Sequence, residues 1–361
     1  VAGDRVILGI LTVRRRNGRG APFLGRVHLF RKLSHTGRRK DIIVCVLPVD
    51  SVLQESLSGW VRRKNRWVYR KLPWPDVVYN KVSDRRLERS LSVKRAKETI
   101  KQKGIPLFNP DFIYKGDLFL KLKGNPSVKE HLPRTATLGR GKQGYEQLLA
   151  FLKRFRIVYL KPKDGKAGDG IIRIFVKTGT GYLTYYDNNM LKQYSFTSLI
   201  KAWQVVNRLI GSRGYIIQQG ILLPVFEGSL FDFRVLVQKN GWGRWQVTGI
   251  GVRLAGNGRH TTHVPRGGRI ESATKVLHSV WPQEESEIEQ EIKELALEVA
   301  RTVEDSYGLF GEMSMDMAVD RKGRVWIFEV NSKPMKFDEP EIDRSSIDNV
   351  LEFARCLASS R

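Results

Sequence analysis

Three stretches of the 361-residue chain carry side chains able to do chemistry. The first is a pair of strand-like segments, EMSMDMAVD and RVWIFEVN, flanking a turn at Asp320 to Gly323. Strand alternation puts Met313, Met315, Met317 and Val319 on one face and Ser314, Asp316 and Ala318 on the other. In the partner segment it predicts Trp326, Phe328 and Val330 on one face, and Val325, Ile327, Glu329 and Asn331 on the other. Glu329 and Asn331 then project together, and hairpin pairing brings Asp316 alongside. Two carboxylates and an amide oxygen suit a hard cation such as Mg²⁺, which takes its remaining ligands from water and phosphate. The same residues also fit a solvated strand face.

The second stretch is YLKPKDGKAGDGIIRI, residues 159–174. Lys161 ends a strand, and Gly165, Gly168 and Gly170 form a flexible turn before the next one. Glycines let backbone N–H groups approach phosphate oxygens, and a lysine supplies countercharge. No GxxxxGK[ST] occurs and a strand follows, so this is not a P-loop; alone it also fits a glycine-rich hairpin. The third stretch is FDFRVLVQ, where Asp232 and Arg234 lie opposite Phe231, Phe233, Val235 and Val237. Arg253 ends the partner strand. Two arginines facing a metal site can hold phosphoryl oxygens or a substrate carboxylate, although an Arg–Asp pair on a sheet face explains the pattern as well.

Other features point elsewhere or nowhere. The six histidines show no metal-ligand spacing, and His260 and His263 fall in a polar loop. Cys45 and Cys356 give no disulfide framework and read as buried small hydrophobes, which suits a reducing cytoplasm. Arg62, Arg63, Lys64 and Arg66 interleave with Trp60, Trp67, Tyr69 and Trp74. Such a cluster can stack on and neutralise nucleic acid, or form a solvated hairpin with its aromatics in the core.

The elements that position these residues fall into a mixed order. Residues 5–13 and 42–49 read as buried strands joined by a basic, glycine-containing stretch, with VVYN as a further strand. Ser83 or Asp84 caps a helix predicted to run to about Lys103, with Leu87, Leu91 and Ile100 among its apolar positions. The stretch 105–135 reads as irregular. From Tyr145 a helix, strands at 157–160 and 171–176, a helix over 197–210 and the strand YIIQQ follow. Beyond Phe231 come long alternating strands, a helix over 284–307, the final hairpin and a short closing helix. This order predicts an α/β and α+β multidomain chain: a small α/β domain over residues 1–110, then a larger unit over 111–361 whose smaller lobe covers about 136–220.

Composition bounds the function. The chain carries 63 Lys and Arg against 37 Asp and Glu, a net charge of +26, with 41% hydrophobic residues. That is core enough for a globular protein and excludes a wholly disordered one. Residues 1–150 hold +21 of the charge and residues 151–361 only +5, so the N-terminal part favours a polyanionic partner. No run reaches the ~18–20 apolar residues a membrane-spanning helix requires, and no secretory signal is visible at the N-terminus.

Lys161 in its glycine-rich turn, Asp232 with Arg234, and Asp316 with Glu329 and Asn331 occur in the order used by ATP-grasp enzymes. The sequence resembles still more closely the YheC/YheD family, described as endospore coat-associated proteins with an ATP-grasp domain. The similar stretches are PDVVYNKVSDRRLE, IPLFNPDFIYK, HLPRTATL, VYLKPKDGKAGDGI, YIIQQGI, FDFRVLVQKNGWGRWQVTGIGVRL and GRVWIFEVNSKP. The resemblance implies an ATP-grasp fold, two α+β lobes clasping ATP behind a pre-ATP-grasp-like N-terminal domain. It implies that Lys115 and Lys161 hold the nucleotide phosphates, with Lys121 an alternative to the first, under a lid from Gly165 through Gly168 to Gly170. Gln218, Gln219 and the backbone near Ile221 would line the adenine slot. Asp316, Glu329 and Asn331 would bind one or two Mg²⁺ ions (or Mn²⁺), and Arg234 and Arg253 would face the γ-phosphate and the acyl substrate. The sequence departs from the ATP-grasp pattern in lacking a carboxylate near Gln218 and Gln219 for the ribose, and in carrying Lys166 and Asp169 in the lid.

The expected function is therefore a Mg-ATP-dependent ligase that phosphorylates a carboxylate and passes the acyl group to an amine or other nucleophile. The expected partners are ATP and an unidentified, acidic carboxylate substrate. The alternatives are a non-catalytic ATP-binding protein of the spore coat or its assembly and, as a minor one, a nucleic-acid-binding protein acting through residues 60–74. Cytoplasm is the expected location, with the spore coat as the other.

Overall fold

In the computed structural model, which describes residues 5–17, 20–163, 169–177, 179–187, 190–256 and 268–360, the first apolar runs pair side by side. β1 (Val6–Thr12) is parallel to β2 (Ile42–Pro48) and to β5 (Val77–Asn80), which carries β6 (Leu107–Phe108). β3 (Ser58–Arg63) and β4 (Arg66–Lys71) extend the opposite edge as a hairpin, giving the order β4-β3-β2-β1-β5-β6. Helices cover both faces, which is why β1 and β2 read as continuous rather than alternating apolar runs.

One face packs α1 (Val27–Arg39), a helix inside the stretch expected only as a basic connection. Its buried stripe is Phe30, Leu33, Ser34 and Gly37, and its outer face is Arg, Lys and His, so charge masked the helical period. The other face packs α2 (Val49–Val52), α3 (Arg85–Glu88) and α4 (Leu91–Gln102). The single helix predicted from Ser83 or Asp84 to Lys103 is thus two. Asp84 caps the first by accepting from the N–H groups of Arg86 and Leu87, and Ser90 caps the second through Val93 N–H. Leu91, placed on the apolar face by spacing, is instead 62% exposed.

The stretch expected to be irregular contains α5 (Lys115–Gly124) and α6 (Pro126–Lys129). A second, antiparallel sheet follows in the order β11-β10-β9-β8-β12-β7. Its strands are β7 (Thr135–Thr137), β8 (Ile157–Pro162), β9 (Ile172–Lys177), β10 (Thr180–Asp187), β11 (Met190–Phe196) and β12 (Tyr215–Gln219). α7 (Gly141–Arg154) and α8 (Leu199–Ile210) pack on it through Leu148, Ala202, Trp203 and Val206.

The third sheet joins β13 (Val225–Phe226), β14 (Ser229–Lys239), β15 (Trp245–Leu254), β16 (Arg269–Ser272), β17 (Glu312–Val319) and β18 (Val325–Asn331), with β14 at its centre between β15 and β17. α9 (Ala273–Val280) and α10 (Glu285–Tyr307) bury one face, against Phe231, Phe233, Val235, Met313, Met315 and Met317. α11 (Pro340–Ser359), predicted as short, is 20 residues long. It runs between the opposite face and the first sheet, where Ile347, Val350, Leu351, Phe353 and Ala354 join the core of β1, β2 and α1.

Candidate functional site

The face of the third sheet turned away from α10 carries the polar set. Asp232 sits opposite Arg253 across β14 and β15, Arg234 sits opposite Asp316 across β14 and β17, and Asp316 sits opposite Glu329 across β17 and β18. Three strand pairings therefore bring Asp232, Arg234, Arg253, Asp316 and Glu329 together on one face in two neighbouring rungs, with Asn331 opposite Ser314 beside them.

The alternation expected for β18 does not run through. The β17–β18 register shifts between Asp316 and Met317, so that Met317 faces Ile327 while Asp316 faces Glu329. Phe328 is the extra residue of a bulge. Val325, Ile327 and Val330 consequently all enter the core under α10, contrary to the two faces predicted by simple alternation. The bulge is what lets a strand with apolar residues at 325 and 327 still turn Glu329 to the site.

Arg253 is the anchor of the set. Its Nε and Nη2 donate to the two carboxylate oxygens of Asp232 at 2.9 and 2.8 Å, and Nη2 lies 3.0 Å from Asp316 Oδ2. Burial alone would lower its pKa, but Asp316 and Asp232 outweigh that and hold the guanidinium above its ordinary value. Arg234 goes the other way: burial is the largest effect and lowers it, against the pull of Asp316. Its guanidinium lies 5.0 Å from the centre of the Phe337 ring. Burial pushes the Asp316 carboxyl up, opposed by Arg253.

On the second sheet, Lys161 Nζ donates to Gln218 Oε1 at 2.6 Å, and Gln218 Nε2 donates to Thr135 Oγ1 at 2.9 Å. The same ammonium is 6.0 Å from the centre of the Phe328 ring, so the bulge of β18 meets the lysine of β8. Gln219 Oε1 accepts from the Arg134 N–H at 3.1 Å, and Ile221 lies half-buried in the link between the second and third sheets. Lys115 opens α5, and Gly170, the last residue of the expected lid, has φ at +70°. Gly165, Lys166 and Gly168 of the lid lie outside the described residues, as do His260 and His263.

The residues fit a bound metal and phosphate. Asp316 Oδ1, Arg234 Nε and Ser314 Oγ are all buried without a hydrogen-bond partner, and such orphaned groups call for a ligand or ordered water. They lie on one face of adjacent strands β14 and β17. No group of three or more His, Cys, Asp or Glu forms a metal cluster among the described residues; here two carboxylates are joined by an amide and a hydroxyl, a hard oxygen set suited to an ion that shares its shell with phosphate.

Several contributors were not singled out from sequence. Glu339, at the start of α11, approaches β15 so closely that a Cβ at Gly251 would collide with its carboxylate. Its partner in space is 88 positions earlier, beyond any local spacing signal. A seam behind the site is equally non-local. Tyr79 of β5 and Lys81 just after it both hydrogen-bond Glu312, and Lys333 donates to Glu88 at 2.5 Å. Asn109, in the left-handed region at φ +57°, donates to the carbonyls of Glu312 and Ser332 and accepts from Gly311 N–H. These contacts fix the turn after Asn331 against the N-terminal sheet.

The comparisons agree with one another. The family profile described as YheC/D like ATP-grasp matches residues 104–357. Endospore coat-associated protein YheD of Bacillus subtilis (strain 168) is 30% identical over 345 residues, which cover 93% of this chain and 74% of that protein. Among solved structures, ATP-grasp ligase PsnB complexed with minimal precursor, Mg and ADP superposes with a TM-score of 0.51 at 12% identity, covering 99% of both chains. D-alanyl-alanine synthetase A from Vibrio cholerae O1 biovar eltor superposes with a TM-score of 0.51 at 11% identity, covering 98% of both.

Proposed function

This chain belongs to the YheC/D-like ATP-grasp family, of a superfamily whose members are ATP-dependent ligases, and on that footing we propose that it is a Mg-ATP-dependent ligase joining a carboxylate to an amine or other nucleophile. The observation that carries this reading is the set Asp232–Arg253–Asp316–Glu329 with the orphaned atoms Asp316 Oδ1 and Arg234 Nε beside it. The nucleotide would lie between the second and third sheets, with Lys161 and Lys115 on its phosphates and Gln219 and Ile221 near the base. Gln218 then acts through Lys161, holding its ammonium in place. Asp316, Glu329 and Asn331 would hold Mg²⁺, which supplies Lewis-acid charge neutralisation at the phosphoryl oxygens.

In the first half-reaction the substrate carboxylate attacks the γ-phosphorus and ADP departs, giving an acylphosphate. In the second the nucleophile attacks the acyl carbon, the C–O bond to phosphate breaks, and the nucleophile's proton leaves to solvent or phosphate. Arg253, locked by Asp232, would orient the transferring oxygens, and Arg234 would receive the carboxylate. Preorganised positive charge of this kind acts without reorganisation during the reaction. Calorimetry with Mg·ATP tests the site: Glu329→Gln and Lys161→Ala each weaken binding at least about tenfold, or ~1.4 kcal/mol. Equal and negligible binding by wild type and both variants would overturn the reading.

A second reading is supported by the coat association of YheD and by the basic N-terminal part: an ATP-binding coat or assembly protein without turnover. ADP release across amino acids, peptides and acidic polymers separates the two. Turnover on any of them favours the ligase, and nucleotide binding with none favours the structural role.

A further inference from the structure

A basic cleft of about 910 Å³ lies between α1 and the segment that leads into α11. Its first wall is the outer stripe of α1, where His28, Arg31, His35 and Arg39 follow at helical spacing. Its second wall runs from Lys336 to Asp348, and Arg62 of β3 closes the rim. The lysines here are spoken for: Lys32 pairs with Asp343, Lys40 with Asp348 and Glu352, and Lys336 with Asp338. The arginines are not. Among the described residues no carboxylate comes within ion-pair reach of Arg31, Arg39, Arg62 or Arg344; Arg62 Nη2 donates to Asn65 Oδ1 at 2.9 Å, while its Nε is buried without a hydrogen-bond partner.

The cleft borders the candidate active site across one buried ring. Phe337 lines it, and the same ring lies 5.0 Å from the guanidinium of Arg234. At the other end of the wall, Arg26 Nη1 donates to Pro334 O and pins the 333–339 segment to the start of α1. One side chain therefore separates four uncompensated arginines from the arginine that would receive the acyl substrate.

We propose that this cleft binds an acidic peptide segment, carrying several Asp or Glu side chains in succession, and presents one of its carboxyl groups to Arg234; the proposal rests on the ligase reading above. Planar guanidinium groups match carboxylates with two parallel hydrogen bonds, a selectivity that lysines do not give. Phosphate polymers would meet the same arginines but offer no carboxyl group for activation. Single-stranded nucleic acid relies on exposed aromatic faces for stacking, and the lining of this cleft carries no exposed Trp, Tyr or Phe: Phe337 is 4% exposed, and the other rings are the imidazoles of His28 and His35. The cleft also gives a local task to Arg31, Arg39 and Arg62, part of the charge that the N-terminal part carries beyond the nucleotide site.

The test is fluorescence anisotropy of a labelled oligoglutamate peptide on the full chain, with Mg·ATP calorimetry on the same samples. The paired variant Arg31→Glu/Arg39→Glu and the single variant Arg344→Glu are expected to weaken peptide binding at least about tenfold. The neutral pair Arg31→Gln/Arg39→Gln weakens it less, in the same direction. Mg·ATP binding is unchanged in all of them, because none of these side chains belongs to the nucleotide site. The control Arg63→Glu/Arg66→Glu, on the β3–β4 turn, leaves peptide binding within about twofold. Three results overturn the proposal: no peptide binding by wild type, equal loss in the hairpin control, or tighter binding of a DNA oligonucleotide or polyphosphate that the cleft variants abolish. Failure of wild type to bind Mg·ATP strikes the ligase reading instead, and is read independently of the peptide signal.

Discussion

Arg253 commits its Nε and Nη2 to two aspartates that are themselves nearly buried, so its position is set before any ligand arrives. Breaking a buried pair leaves the remaining charge uncompensated and costs about 3–5 kcal/mol. Asp232→Ala is expected near the lower end, about 3 kcal/mol, because Asp316 still faces Arg253; urea denaturation measures it. The same variant should lose ligase turnover more than Mg·ATP affinity, since it disorders an arginine rather than a metal ligand. Cys45 offers a second residue-scale test. Burial pushes its thiol from an ordinary 9.0 up to about 12, so the folded state keeps the proton after the unfolded chain has lost it. Its contribution to stability is complete below pH 9 and is lost as pH rises toward 12. Cys45→Ala should therefore lose less stability than wild type over that window, read by denaturation midpoints at each pH. Native Cys45 should also resist alkylation at neutral pH while the half-buried Cys356 reacts.

At the scale of elements, the bulge in β18 absorbs Phe328 so that Glu329 keeps its place opposite Asp316. Deleting Phe328 removes the extra residue and leaves Ile327 opposite Met317 and Glu329 opposite Asp316 in strict alternation, so the register of the site is kept without the bulge. Mg·ATP binding should therefore be largely retained in the deletion as well as in Phe328→Ala, which keeps the residue count; calorimetry on both decides, and loss in the deletion alone would show that the bulge does more than absorb one residue. Strand identities were legible because continuous and alternating apolar runs are physical consequences of two-sided and one-sided burial. Residues 6–12, 42–48, 229–239, 245–254 and 312–319 were all readable on that basis. The bulge was not, because nothing in RVWIFEVN distinguishes a strand with one residue too many from a regular one. α1 was hidden by the Arg, Lys and His residues that crowd its outer face, and β10 and β11 by weak alternation: most of β11 is exposed, with Thr and Tyr interspersed along β10 and Lys, Gln and Tyr along β11. Of the site, Asp316, Glu329, Arg234 and Arg253 stood out by spacing within strands. Glu339, Phe337 and Glu312 reach the same region only through packing between distant segments, which leaves no periodic trace.

For the whole molecule, two facts of assembly dominate: the basic surplus sits on the N-terminal part, and the first sheet shares its core with α11. Phe353 is 2% exposed and meets Phe108 edge-on, with ring centres 5.4 Å apart. Truncating such a side chain costs about 3–5 kcal/mol, so Phe353→Ala should lower the melting temperature of the whole chain rather than of one part. Calorimetric melting in a single shifted transition is the expected result; an unshifted one would show that the shared core contributes little. The same shared core sets an order of events during synthesis. A ribosome adds about 5–20 residues per second, so just under three hundred residues (49–346), including both later sheets, emerge after β1, β2 and α1 and before Ile347 to Ala354 can reach them. For those tens of seconds the nascent N-terminal layer presents an unfilled apolar face, flanked by the arginines and lysines of α1. A chaperone that recognises apolar segments beside positive charge is the natural custodian of that interval, and the protein's yield in a cell should depend on it more than its final stability suggests.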